Sequence, residues 1–220
     1  MKTIFYSLIL LPLLSLSQTL LAADDIDNNL ETDLHKLQSR WAEVNYQLKD
    51  KPQYQAFEEL IGSADQQVQT YPNSAEMLIW RGIIKSSYAG AKGGLGALKL
   101  AKSSKIDLEK ALELKPDALN GSAYTSLGTL YFNVPGWPIG FGSDKTAKKL
   151  LKKALVINPT GIDPNYFYAQ YLEEDKRYQE AQSYYQKALQ APNRPSRPLA
   201  DSGRRGEIKA ALIRIEKKLK

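Results

Sequence analysis

"LEKALELKP" at 108–116, "LKKALVINP" at 151–159 and "YQKALQAP" at 185–192 are three versions of one helix end. Each passes through a Lys-Ala-Leu triplet and stops at a proline, which has no backbone N–H to donate and whose ring clashes with the preceding turn. The triplets start at 110, 153 and 187, so the intervals are 43 and 34 residues. An interval of 34 is the period of a stacked helix–turn–helix repeat. Pro72 of "YPNS" lies 44 residues before Pro116 and extends the series backwards. The chain is therefore read as an all-α repeat protein.

Working outward, apolar residues keep a helical period on both flanks. Leu30, Leu34, Leu37, Trp41, Val44 and Leu48 mark one face of a first helix, ended by Asp50-Lys51-Pro52. Tyr54, Phe57, Leu60, Ile61, Ala64 and Val68 mark a second helix over 53–70, and Ser74 is placed to cap the third. Towards the C-terminus, Ile208, Leu212, Ile215 and Leu219 give a capping helix with Arg204, Arg205, Lys209, Arg214, Lys217 and Lys218 on its outer face. The organisation expected is a signal peptide over 1–22, an N-terminal helix over 23–52, repeats over 53–199 and a basic cap over 200–220.

The signal peptide rests on Lys2, the apolar run from Ile4 to Leu16, and the small residues Ala22 and Ala23 before acids. Pro12 and the polar residues from Ser15 to Thr19 leave the apolar run too short for a membrane anchor. Cleavage after Ala22 or Ala23 puts the mature chain in an exported compartment such as a periplasm. The chain has no cysteine, hence no disulfide framework and no thiol for lipid attachment. A net charge of +6, spread through helical segments, is too mild and too dispersed for a nucleic-acid surface.

These features resemble the tetratricopeptide-repeat (TPR) family. Gly82 and Ala169 each follow a repeat-ending proline by ten residues, where that family packs a small residue inside the first helix of a pair. Ala181, Tyr185 and Ala188 continue the pattern, while Gly128 follows Pro116 by twelve, implying two extra residues in "DALNGS". The resemblance covers about 53–192 and implies a right-handed solenoid of antiparallel helix pairs, with Leu112, Leu155 and Leu189 between layers.

Two intervals exceed the repeat by about ten residues. The excess is assigned to Gly-rich insertions within consecutive pairs, "YAGAKGGLGALKLAKSS" (88–104) and "NVPGWPIGFGSDK" (133–145). Insertions at one edge of a solenoid often bind ligands. Gly93, Gly94, Gly96, Trp137, Ile139 and Phe141 are the candidate site residues, joined by Tyr166 and Phe167 on the concave face. Three roles stand open for the second loop: a hydrophobic plug, a binding element or a subunit contact. Gly140 and Gly142 flank Phe141, which is expected to be more exposed than a partly buried Trp137. Tyr168 and Tyr171 are expected in the core, with Tyr166 or Phe167 exposed.

"GFGSDKTAKKLLKKAL", "DPNYFYAQYL" and "YYQKAL" are similar to a narrower group of exported TPR proteins, the TatT-like T components associated with TRAP transporters. That resemblance implies an envelope accessory that passes an apolar or organic-acid solute to a partner and self-associates. The lipid anchor of better-known members does not carry over, because the cysteine is missing.

No catalytic constellation emerges. "GFGSDKT" has Asp144 where a phosphate-binding loop needs glycine before its lysine, and "GGLG" at 93–96 follows no strand and reads as a hinge. His35 is the only histidine and is placed on the outer side of its helix. Glu58-Glu59 and Glu173-Glu174-Asp175 read as solvated charges. The expectation is a non-enzymatic, cofactor-free binding scaffold for an envelope protein or peptide, with a small-molecule carrier using the two loops as the alternative. An open groove with exposed aromatics favours the first, and a closed apolar cavity beneath Trp137 and Phe141 the second.

Overall fold

Two helices open on a serine that meets the free N–H groups of the helix start. Ser74 Oγ accepts from Met77 N at 3.2 Å, at the cap that the sequence marks, and Ser143 Oγ accepts from Thr146 N at 3.3 Å. The computed structural model describes residues 16–220, and among them the chain forms nine helices and no strand. They are α1 (Leu16–Gln47), α2 (Asp50–Thr70), α3 (Ala75–Lys92), α4 (Gly94–Leu114), α5 (Ala118–Asn133), α6 (Asp144–Ile157), α7 (Ile162–Glu174), α8 (Tyr178–Leu189) and α9 (Pro198–Leu219). Residues 1–15, on which most of the expected signal peptide falls, lie outside the described residues. Among the described residues, no helix is long and apolar enough to cross a membrane.

The helices pair as α3 with α4, α5 with α6, and α7 with α8, which make the most extensive contacts in the molecule. One small residue sets each pair's spacing. A Cβ on Gly82 would fall 2.8 Å from Leu108 Cγ, and a Cβ on Gly128 would fall 2.8 Å from Leu151 Cγ. Leu108 and Leu151 open the repeated helix-end motif, so two consecutive pairs use the same contact. In the third pair, Ala169 and Tyr185 occupy the corresponding places, both fully buried in one cluster. The two extra residues before Gly128 appear as a left-handed run, Leu119, Asn120 and Gly121, all at positive φ. The result is an all-α, TPR-like solenoid.

Several boundaries differ from the sequence reading. α1 stops at Gln47 and α2 already starts at Asp50, so Pro52 sits in the first turn of α2 instead of ending α1. The segment 88–104 is not a loop. It lengthens α3 and α4, leaving Gly93 alone between them, with Gly93 and Gly94 at φ of +63° and +65° as a hinge. Of the two insertions, only the second is irregular, over 134–143.

Two carboxylates within the stack, Asp107 and Glu173, are paired. Asp107, 3% exposed, accepts from Arg81 Nη2 at 2.5 Å, Arg81 Nε at 3.0 Å and Lys85 Nζ at 2.7 Å, tying α3 to α4. Glu173, read above as a solvated charge, accepts from Tyr185 Oη at 2.8 Å and pairs with Arg214 of α9.

Candidate functional site

The first helix of each pair lies on the inside of the solenoid, and α1 and α9 complete the inner layer. α1 packs on α3, α3 on α5, α5 on α7, α7 on α9, and α9 returns to α1. The inner helices therefore form a closed ring. Three contacts seal it: Gly203 of α9 against the Tyr46 ring of α1, His35 Nε2 with the Ser196 carbonyl at 3.0 Å, and Ala200 within the cluster built by α1, α2 and α3.

The ring surrounds a cavity of about 1000 Å³ that is partly open to solvent. Its apolar wall includes Trp80, Ile83, Leu98, Leu130, Ile139 and Phe167. α5 contributes Ser122, Thr125, Ser126, Thr129 and Asn133, a polar stripe at helical spacing. Much of that polarity is already used. Ser122, Thr129 and Asn133 turn back to carbonyls of α5, Ser86 donates to the Ile83 carbonyl, and Ser87 accepts from Trp41 Nε1 at 2.9 Å. Ile139, 67% exposed, and the exposed His35 and Ser196 lie where the wall reaches solvent.

A charged cluster occupies the wall where α7 meets α9. Arg204 stacks over Tyr166 and Phe167, its Cζ 4.4 and 4.6 Å from the ring centroids, and pairs with Asp163 at 2.9 Å. Arg194 pairs with Asp163 at 2.7 Å and with Asp201 at 2.6 Å. Burial alone would raise the Asp163 carboxyl, but Arg204 and then Arg194 outweigh it and hold the group well below the usual carboxylate range. Burial also pushes Tyr166 up to about 12. Arg197 differs from its neighbours. It lies 4.8 Å over Trp80, and among the described residues its guanidinium has no hydrogen-bond or ion-pair partner, its buried Nε included. Burial, and next repulsion from Arg194, pull its pKa down to about 10, so it still carries its charge at neutral pH.

The structure divides the residues singled out from sequence. Gly94, Ile139 and Phe167 line the cavity, whereas Gly93, Gly96, Trp137, Phe141 and Tyr166 do not. The two Gly-rich segments are neighbours as expected, with a Cβ on Gly140 falling 3.4 Å from Leu98 Cδ1. The expected burial of the loop aromatics is reversed. Trp137 is 91% exposed, while Phe141 is half-buried edge-on against Tyr131 at 5.3 Å. A Cβ on Gly142 would run into the Val134 carbonyl, so the glycine lets the loop fold back and press Phe141 inward. Tyr166 is buried, not exposed, because α9 covers it. Arg204 likewise belongs to the interior instead of a basic outer face, while Lys209, Arg214, Lys217 and Lys218 remain outside.

Two features of the wall escaped the sequence reading. The α5 stripe follows a helical period in polar residues, a signal hidden by the search for apolar ones. The Arg194–Arg197–Arg204 cluster with Asp163 is assembled by the closure of α9 and has no local signature.

No family model matches the chain, and no curated protein matches it. Among solved structures it is similar to two crystal structures of MamA. One is 19% identical, with a TM-score of 0.44 over 76% of this chain and 91% of the other. The second is 18% identical, with a TM-score of 0.43 over 83% and 92%. At that level of superposition the likeness adds nothing to what the helices themselves establish. Fold and site together define a TPR-like helical-repeat protein whose ends meet around an internal cavity.

Proposed function

We propose that the protein is a non-enzymatic binding protein of the cell envelope that holds a small molecule inside its helical ring. The observation that carries this reading is the closure of α9 on α1, which turns the concave face of a repeat solenoid into a walled cavity of about 1000 Å³. A volume of this order, apolar with a few placed polar groups, suits a small ligand. A transporter-accessory role of the TatT-like kind is consistent with such a cavity, and the signal-peptide pattern supports export.

Filling the cavity tests the reading. Ser126 faces it from α5, and Ser126→Trp should abolish binding of the apolar probe decan-1-ol while the far-ultraviolet dichroism stays helical. Full binding by that variant would place the ligand elsewhere.

A second reading has its own observation. Trp137 and Ile139 are large apolar side chains standing in solvent at the tip of one loop, a surface suited to an envelope protein partner. In that case Trp137→Ala should lose a partner captured by the wild-type protein while decan-1-ol binding is unchanged.

A further inference from the structure

We infer that Arg197 is the anion-recognition group of the cavity, so that the ligand is an amphipathic carboxylate, its head on the Arg197 guanidinium and its apolar body along Ile83 and the rest of the apolar wall. This rests on the cavity reading above and specifies its ligand class.

The inference starts from an imbalance. A buried cation is normally paired, because taking it out of water without a partner costs several kcal/mol. Three arginines border this cavity wall, and two are satisfied: Arg194 by Asp163 and Asp201, Arg204 by Asp163 and Glu207. The wall has two carboxylates. Asp163 is taken by those two arginines, and Glu31 is exposed to solvent. Arg197, half-buried, is left with the Trp80 face, the longer-range attraction of Asp163 and Asp201, and a buried Nε without an acceptor. The side chain is also pre-set. Arg197 directly precedes Pro198, which disfavours a helical backbone, and it stands at φ −136° immediately before α9. Stacking on Trp80 fixes the guanidinium plane and leaves its edge available. A planar fork of N–H donors matches a carboxylate through two parallel hydrogen bonds. An apolar body extending from that head would meet Ile83 and the rest of the apolar wall, while nearby polar groups on α3 and α5 are largely engaged within the protein.

Titrating the full-length exported protein with decanoate and, separately, decan-1-ol separates head recognition from tail burial. In wild type, decanoate should bind at least tenfold more tightly than decan-1-ol. Arg197→Met, which keeps an unbranched apolar side chain against Trp80, should weaken decanoate at least tenfold and leave decan-1-ol within about twofold. Arg197→Lys should retain part of the preference. If decan-1-ol binds but decanoate shows no preference in wild type, or Arg197→Met weakens both ligands equally, Arg197 is a structural plug and the inference fails while the cavity reading stands. If neither compound binds wild type, both fail.

Discussion

Gly203 of α9 lies directly against the aromatic ring of Tyr46 in α1: a Cβ on the glycine would fall 2.5 Å from ring atoms Cγ, Cδ1 and Cε1. Any larger residue would push the two ends of the solenoid apart, so this contact helps determine whether the repeat closes. The tyrosine shows how tight the junction is, since burial pushes its hydroxyl up to about 12 and leaves its oxygen without a partner. Gly203→Leu should therefore lower stability by about 1–3 kcal/mol and weaken decan-1-ol binding. Gly206, three residues on, has nothing within 4 Å of a Cβ. Gly206→Ala should raise stability by roughly 0.5–1 kcal/mol through helix propensity alone. Urea unfolding of the two variants checks both signs.

The repeat spacing gives a second expectation. Gly128→Ala adds a methyl group 2.8 Å from Leu151 Cγ and 3.2 Å from the Leu151 backbone nitrogen. The backbone atom cannot turn away as a side-chain end can. The loss should be about 1–3 kcal/mol, despite alanine's better helix propensity, and Leu151→Ala in the same protein should recover part of the effect. Double-mutant unfolding measures this coupling.

The loop aromatics should behave oppositely in unfolding. Trp137→Ala removes a side chain that already stands in water, so the urea midpoint should stay within error. Phe141→Ala strips an edge-on partner from Tyr131 and a neighbour of the α3–α5 cluster, at a cost of about 1–3 kcal/mol for a half-buried ring.

Asp163 makes the site sensitive to acid. Its folded carboxyl is held below the ordinary 3.8, so the unfolded chain takes up the proton first as pH falls. The stabilisation is fully present above about pH 4–5 and declines as the pH drops towards the folded value. Asp163→Asn removes an acceptor shared by Arg194 and Arg204 and should cost about 3 kcal/mol at pH 7. Because wild type loses the same interaction in acid, the gap should narrow at pH 3, as urea midpoints at the two pH values would show.

Much of this architecture is legible in the sequence because it is local. The helix-end motif, the prolines and Gly82 report contacts within one repeat, and Leu108 and Leu151 meet their glycines at a fixed offset. Closure is not local. Nothing near Tyr46 announces Gly203, and Arg204 on a helical wheel looks like one more basic surface residue until α9 is laid over Tyr166. The 88–104 segment differs from its sequence pattern for a related reason: glycines suggest a loop, yet only Gly93 and Gly94 of that segment adopt positive φ, and the rest continue two long helices. Trp137 and Phe141 have the reverse of their expected burial because glycines beside Phe141 suggest open space, whereas Gly142 lets the loop turn inward.

Native mass spectrometry of the protein purified from its own host tests most directly whether the ring holds a small molecule. The expected spectrum shows the chain carrying one non-covalent adduct of small-molecule mass, released on denaturation and missing from Ser126→Trp. A bare chain in wild type and variant alike would contradict it.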